Sequence, residues 1–200
     1  MKKIFASLIN NITFTGNIKI DSQKLLKNYH QFVTAEHSLR VAKEAKVLAE
    51  RYGINNEKAE IAGLLHDISG IYPSDERLKI AEELGLNIFE EERVLPLILH
   101  QRISAIMAEE LFHVHDKEIL SAIACHTTLK AKASKMDMVL FVADKIQWDK
   151  EGVPPYLDEL EKSLSVSLKN GTFSYIKYQL KHAKIIHPWL REAYKDLLNN

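Results

Sequence analysis

The segment AEIAGLLHD, residues 59–67, ends in a histidine and an aspartate on a helix that is otherwise small and apolar. His66 follows Ala62 by four residues and Gly63 by three, and this spacing places it on the apolar face of the helix. An inward carboxylate is costly unless it is paired, hydrogen-bonded or bound to a metal. The segment therefore predicts a helix that carries reactive groups into the interior.

Apolar residues recur at helical spacing through most of the chain, and no stretch alternates convincingly with the two-residue period of a strand. Seven glycines and five prolines in 200 residues are few for a turn-rich β-sandwich. These patterns predict an all-α fold. The clearest linker is GVPP at residues 152–155. We expect an N-terminal segment at residues 1–28, a main domain at residues 29–150, and a C-terminal helical extension of the same domain at residues 151–200.

Two helix boundaries are predicted from local signals alone. Asp21 or Ser22 can cap a helix that runs to about Val33, after a short piece at residues 18–20 that could be extended. In the C-terminal region, the dipeptide at residues 170–171 (Asn-Gly) is typical of a turn, so it is expected to separate two amphipathic helices.

Composition excludes several functional classes. Lysine and arginine number 27, as do aspartate and glutamate, so the formal net charge is zero and a broad nucleic-acid footprint is not expected. No apolar run is long enough to span a membrane. The single cysteine, Cys125, excludes a disulfide framework or a cysteine-rich zinc site. It fits a reducing compartment, and we expect a cytoplasmic protein in which Cys125 is a small core residue.

Histidines and aspartates interrupt the apolar faces of several predicted helices. In chain order these inward residues are His37, His66, Asp67, His126 and Asp144, and His100 lies between Asp67 and His126 in the sequence. Imidazole and carboxylate are ligands that intermediate divalent metals accept, and a metal would relieve the repulsion between two inward carboxylates. The alternative is that each histidine is a hydrogen-bonded core residue and that Asp144 forms a surface ion pair with Lys145.

The order of these residues resembles that of a known superfamily. The motifs are EHSLRV at residues 36–41, GLLHD at 63–67, LH at 99–100, CHTT at 125–128 and FVADK at 141–145. The pattern, over about residues 29–148, is similar to the HD-domain metal-dependent phosphohydrolases, and within them to the YqeK-like branch. That branch hydrolyses bis(5′-nucleosyl) tetraphosphates symmetrically. The resemblance implies an HD-domain helical bundle with additional C-terminal helices packed on it.

The resemblance also implies a two-metal site. One ion would be held by His37, His66, Asp67 and Asp144, and Asp67 would bridge to a second ion completed by His100 and His126. Asp67 and His66 are accordingly the expected catalytic residues. Iron is the metal implied, with manganese or zinc as alternatives. A metal-activated hydroxide would attack phosphorus and release nucleoside diphosphates.

Substrate-binding groups are less clear, because three segments depart from the YqeK-like pattern. A lysine commonly follows the His-Asp dipeptide, but ISG stands at residues 68–70; a Gly-Arg pair after His-Thr is replaced at residues 129–132; and residues 147–150 lack the usual Glu-Pro. The cations that could bind phosphate instead are Arg40, Lys130, Lys132 and Lys145.

Each of these cations has a simpler alternative. Arg40 could pair with Glu36 or Glu44, and the lysines at 130 and 132 could lie in a solvated loop. Trp148 could stack on a base or belong to the core. Three other functions therefore stay open: hydrolysis of another nucleotide or alarmone, a nucleotide- or metal-binding regulatory module with little turnover, and a structural helical domain. From the resemblance we also expect a homodimer.

Overall fold

The computed structural model describes residues 2–10, 12–148 and 151–199, and these residues form α-helices without any strand, which confirms the all-α prediction. The helices are α1 (Lys3–Ala6), α2 (Ile18–Asn28), α3 (Phe32–Tyr52), α4 (Asn56–Leu65), α5 (Arg77–Glu83), α6 (Glu90–Val94), α7 (His100–Phe112), α8 (Lys117–Cys125), α9 (Lys135–Ile146), α10 (Leu157–Val166), α11 (Leu168–His182) and α12 (Pro188–Asn199). Short 3₁₀ turns at Ser7–Ile9, Ile68–Ile71 and Pro96–Leu99 join some of them. Among the described residues, no helix combines the length and apolarity that a membrane span needs.

Two apolar clusters form the core, and the His-Asp dipeptide lies where they meet. The larger cluster joins α3, α4, α8 and α9 and includes Val41, Leu65 and Leu140. The smaller one joins the N-terminal segment to α7 and includes Phe5 and Ile68. Because Leu65 belongs to one cluster and Ile68 to the other, the two residues between them are held from both sides.

Helices α3 and α4 pack closely because Gly63 has no side chain. A Cβ atom built on Gly63 would lie 2.5 Å from the Cα of Ala42 on α3. The backbones can therefore approach each other only with glycine at this position. This approach brings the rings of His37 and His66 together, with their centroids 5.2 Å apart.

The predicted start of α2 at Asp21 or Ser22 is wrong. The helix begins at Ile18, and the side chain of Asn17 accepts a hydrogen bond from the amide of Ile20. The Asp21 carboxylate instead accepts hydrogen bonds from the backbone amides of Thr15 and Gly16. The cap at Asn17, four residues before Asp21, therefore includes residues 18–20 in the helix, and α2 ends at Asn28, before Val33.

The predicted break at residues 170–171 is also wrong, because both residues lie inside α11. The chain turns at Ser167, whose hydroxyl accepts a hydrogen bond from the amide of Asn170. A Cβ atom on Gly171 would lie 2.3 Å from a methyl carbon of Leu164. The glycine thus serves the close approach of α10 and α11, which a local turn signal does not reveal.

The C-terminal helices complete the larger core cluster. Tyr156, Leu160, Ile176 and Leu190 are buried together with residues of α3, α4 and α9. The additional helices therefore pack on the bundle, as predicted. The predicted boundary between residues 150 and 151 adjoins Lys150, which lies outside the described residues. Cys125 is buried in the same cluster, as expected of a core residue.

Candidate metal centre

The structure brings together the six side chains that the sequence singled out as metal ligands: His37, His66, Asp67, His100, His126 and Asp144. Asp67 lies in the middle. Its Oδ1 is 3.3 Å from Nε2 of His100 and 3.4 Å from Nε2 of His126. Its Oδ2 is 3.4 Å from Nε2 of His66. One carboxylate therefore faces two groups of imidazoles.

Asp144 lies beside the first of these groups. Its Oδ1 is 3.0 Å from Nε2 of His37 and 3.6 Å from Nε2 of His66. His37, His66 and Asp67 offer ligand atoms within 4.8 Å of one another, and so do Asp67, His100 and His126. The residues form two ligand groups that share Asp67.

Backbone carbonyls fix the tautomers of three of the histidines. In each case Nδ1–H donates to the carbonyl three residues earlier in the chain: His66 to Gly63 at 2.8 Å, His100 to Leu97 at 2.6 Å and His126 to Ile123 at 2.9 Å. Each ring therefore presents Nε2 toward the others. This is how protein metal ligands are commonly oriented, with the second ring nitrogen donating to the protein.

Several ligand atoms lack the partners that buried polar atoms need. His66 Nε2 and Asp67 Oδ1 are buried without a hydrogen-bond partner in the described chain. The Nε2 atoms of His100 and His126 are only 2.9 Å apart, although both rings donate through Nδ1. Two lone pairs at that distance repel unless a proton or another cation lies between them. The donor set therefore fits a divalent cation.

A family model described as HD domain matches residues 34–149, which is more than half of the chain. The chain belongs to the HD domain family. This HD domain contains all six side chains of the candidate metal centre.

Curated relatives of this HD-domain protein span several bacteria. A Lactococcus lactis subsp. cremoris protein, described as an uncharacterized protein in the pepC 5′ region, is 45% identical over 147 residues, which are 73% of this chain and 75% of that protein. The symmetrical bis(5′-nucleosyl)-tetraphosphatase of Bacillus subtilis (strain 168) is 29% identical over 150 residues, 74% of this chain and 76% of that enzyme.

Two further matches cover more of the chain. A Mycoplasma genitalium protein named probable nicotinate-nucleotide adenylyltransferase/Ap4A hydrolase is 32% identical over 184 residues, or 88% of this chain, but this chain spans only 50% of that relative's length. A solved structure described as a "predicted HD superfamily hydrolase involved in NAD metabolism" from Clostridium acetobutylicum superposes with a TM-score of 0.80 and 27% identity. The match covers 89% of this chain and 95% of that one.

Both aspartates of the HD centre are held ionised by their neighbours. Burial alone would raise the pKa of Asp67, but His66, His126 and His100 hold it well below the usual range. Burial would likewise raise the pKa of Asp144, but the adjacent ammonium group of Lys145 and the imidazoles hold it well below the usual range. Both carboxylates are thus ready to bind a cation at neutral pH.

The pKa values of the buried imidazoles are shifted in opposite directions. Burial lowers the pKa of His66, but the carboxylates of Asp67 and Asp144 outweigh it and raise the value to about 9. Burial lowers the pKa of His100 to about 3 and also lowers that of His126. Without a metal, the HD centre therefore holds its proton on His66, between the two carboxylates.

Polar residues that the sequence did not single out support the ligands from behind. The side-chain oxygen of Gln101 accepts hydrogen bonds from the amides of Thr127 and Thr128, at 3.0 and 3.3 Å, and so fixes the turn after His126. Ser69 donates to the carbonyl of His100 at 2.9 Å. No sequence signal marks these residues, because their partners lie about 30 residues away along the chain.

A cavity of about 360 Å³ opens over the HD centre. Besides five of the ligands, its wall consists of Gln31, Thr34, Gly70, Arg77, Leu97, Thr127, Lys145, Trp148, Tyr156 and Tyr175. Two cations, Arg77 and Lys145, line this wall and would attract an anion into the cavity. The aromatic residues form a second wall, with the Tyr156 ring 5.7 Å from that of Trp148 and 4.7 Å from that of Tyr175.

Only one of the four predicted phosphate-binding cations reaches this cavity. Lys145 lines it and pairs with the Asp144 carboxylate. Arg40 is exposed outside it, and Lys132 is exposed in the loop before α9. Lys130 donates to Ser121 and lies 3.7 Å from Asp137, so its charge is already paired.

Among the charged and aromatic residues of the cavity wall, Arg77, Tyr156 and Tyr175 escaped the sequence reasoning. Arg77 is one of several charges on a short helix, and no periodic pattern distinguishes it. The tyrosines follow the predicted linker at residues 152–155: Tyr156 directly precedes α10, and Tyr175 lies in α11. The Lys145–Tyr175 contact, with Nζ 5.9 Å from the ring centroid, shows how closely these helices approach the site.

Proposed function

We propose that this HD-domain protein is a metal-dependent phosphohydrolase that cleaves dinucleoside tetraphosphates symmetrically into two nucleoside diphosphates. The observation that carries the proposal is the pair of ligand groups sharing Asp67 at the base of a cavity that also presents cations and aromatic rings. The tetraphosphatase name of the Bacillus subtilis relative supports the choice of substrate.

Two divalent ions are part of this proposal. His37, His66, Asp67 and Asp144 would hold one ion, and Asp67, His100 and His126 would hold the other. Iron is the proposed metal, with manganese or zinc as alternatives for the same ligands. A divalent ion in such a site lowers the pKa of water toward about 7 and neutralises charge on phosphoryl oxygens.

The side chains of the protein prepare the centre for this chemistry. Asp67 contributes one carboxylate to both groups, and His66 lies fully buried behind it with its tautomer fixed by Gly63. Lys145 orients Asp144 through their ion pair. The Asp144 carboxylate raises the pKa of Lys145 against the effect of burial, so this side chain keeps a positive charge facing the phosphates.

The aromatic wall suits a nucleobase. Base stacking on aromatic side chains contributes about 1–3 kcal/mol per base and tolerates different bases. Trp148, Tyr156 and Tyr175 stand at the cavity in mutually tilted orientations, so one ring face can receive a base while the others enclose it. We assign one nucleoside of the substrate to this wall.

A second cavity supports a substrate with two nucleosides. It has a volume of about 390 Å³, is mainly apolar, and shares Leu97, His100 and Thr127 with the first cavity. Its wall also includes Gln179, whose buried Oε1 has no hydrogen-bond partner among the described residues. An amide oxygen of this kind can accept a hydrogen bond from a base. We assign the second nucleoside to this cavity.

A nucleotide panel tests the proposal. Protein with its bound metal measured is assayed on diadenosine tetraphosphate, mononucleotides and guanosine alarmones, with products separated by chromatography. We expect two ADP per diadenosine tetraphosphate, and we expect Asp67→Ala to lose both metal and turnover. Asp158→Ala, an exposed aspartate on α10, is the control and should keep both.

Other outcomes would contradict the proposal in distinct ways. Equal turnover by metal-free and metal-loaded protein would refute the metal-dependent reaction. AMP and ATP as products would refute symmetrical cleavage. Preferred turnover of a mononucleotide or alarmone would mean that this nucleotide, and not the dinucleoside tetraphosphate, is the substrate. Saturable nucleotide binding without products would indicate a regulatory module. The homodimer, which rests on the family resemblance, and the cytoplasmic location, which rests on the single cysteine, belong to the same proposal; light scattering tests the former.

A further inference from the structure

Arg77 is a buried arginine without a matching carboxylate. The residue is 7% exposed, and within the described chain no carboxylate oxygen lies within ion-pair distance of it. Its one hydrogen bond there runs from Nη1 to the carbonyl of Leu97 at 3.4 Å, and its buried Nε has no partner. A guanidinium group has five N–H donors, and a buried charge is costly unless it is compensated. The protein therefore maintains a cation whose donors are mostly unused.

The unpaired guanidinium of Arg77 lies close to the HD centre. The side chain lines the same cavity as Asp67 and His100. The Leu97 carbonyl that accepts from Arg77 also accepts the Nδ1–H of His100, at 2.6 Å. One backbone oxygen thus anchors both the guanidinium and a candidate metal ligand. Asp67 lies close enough to act on Arg77 through its charge.

We infer that Arg77 binds a phosphate group of the substrate and holds the phosphate chain against the HD centre. The inference rests on the proposed function, since it takes a polyphosphate as the anion in the cavity. A planar guanidinium matches the oxygens of a phosphate with two parallel hydrogen bonds, which a lysine cannot reproduce. An anion in the cavity can accept hydrogen bonds from the guanidinium donors that the Leu97 carbonyl leaves unused. The competing explanation is that Arg77 only anchors the Pro96–Leu99 turn.

Pyrophosphate binding to manganese-loaded protein, measured by calorimetry, separates these explanations without requiring turnover. We expect Arg77→Met to weaken pyrophosphate binding roughly 10- to 100-fold, the usual range for a lost charged hydrogen-bonding pair. The pyrophosphate affinity of Arg77→Lys should lie between those of the wild type and Arg77→Met, and neither substitution should change the metal content. Lys79→Met removes the same charge from the exposed side of α5 and should bind within about twofold of the wild type.

Wild-type pyrophosphate affinity in both Arg77 variants would overturn the inference. So would equal weakening in Lys79→Met, because that result would indicate a general charge effect. If Arg77→Met does not fold, Arg77→Lys decides alone: binding within twofold of the wild type refutes the guanidinium contact, and any larger loss supports it.

The outcome also distinguishes this inference from the proposed function. Turnover of diadenosine tetraphosphate with an unchanged KM in Arg77→Met would refute the role of Arg77 and leave the function intact. Arg77-dependent pyrophosphate binding in a protein that cleaves no nucleotide would refute the function and retain the anion site.

Discussion

Metal binding to the HD centre should release one proton near neutral pH, and His66 is the source. The pKa of this imidazole is raised to about 9 by Asp67 and Asp144 in the metal-free protein, whereas that of His100 is lowered to about 3. A metal ligand must be deprotonated, so the ion has to displace the His66 proton. His100 carries no proton at this pH that would need to be displaced.

The magnitude follows from the distance between the pKa and the working pH. A pH of 7 is about two units below the pKa of His66, so protonation of this imidazole reduces the apparent metal affinity about 100-fold, or roughly 3 kcal/mol. The apparent affinity should therefore rise about tenfold per pH unit between pH 7.0 and 8.5. The sign is fixed by the raised pKa: binding weakens as the pH falls and levels off above about pH 9.

Calorimetry with manganese in two buffers of different ionisation enthalpy measures this effect. The difference between the observed heats gives the protons released, and we expect about one per protein at pH 7.5. Chelator competition over the same pH range gives the slope independently. Zero proton release together with a pH-independent affinity would refute the reasoning about His66.

Three further predictions concern other parts of the molecule. Gly63→Ala forces a Cβ against Ala42 at 2.5 Å, so it should lower the free energy of unfolding by about 1–3 kcal/mol or more, measured by urea denaturation, and an unchanged midpoint would contradict the packing argument. Gln101→Leu removes the acceptor that holds Thr127 and Thr128, so metal affinity should fall about 10- to 100-fold in a chelator titration; full affinity would mean that the turn does not support His126. Ala183→Phe reduces the volume of the second cavity, so the KM for diadenosine tetraphosphate should rise several-fold while the metal content stays constant. An unaltered KM would show that the second nucleoside does not bind in that cavity.

The fold class and most residues of the centre were predictable because they depend on local periodicity, whereas His100 was expected as a ligand only from the motif order. An imidazole or carboxylate on an apolar helix face points inward whatever the neighbouring helix is, so His66 and Asp144 could be identified without knowledge of the packing. Their convergence on one point could not be derived in this way. It depends on the α3–α4 approach at Gly63, and in the sequence it was expected only from the motif order.

The remaining features depend on tertiary partners. Lys130 was a candidate phosphate ligand, but Asp137 on the following helix pairs with it. Arg77 carried no signal, because its burial comes from the packing of α5 against the Pro96–Leu99 turn. Gly171 belongs to an Asn-Gly dipeptide that is typical of a turn, but it lies within a helix. Glycine is needed there because the side chain of Leu164, on the preceding helix, occupies the position that a Cβ atom would take. Local propensity cannot resolve such cases.

The central claim is that the six side chains of the HD centre bind a pair of ions. Anomalous diffraction from crystals of the manganese-loaded protein tests it most directly. The account predicts two anomalous peaks, one in contact with His37, His66, Asp67 and Asp144 and the other in contact with Asp67, His100 and His126. Strong peaks elsewhere, with none among these residues, would contradict it.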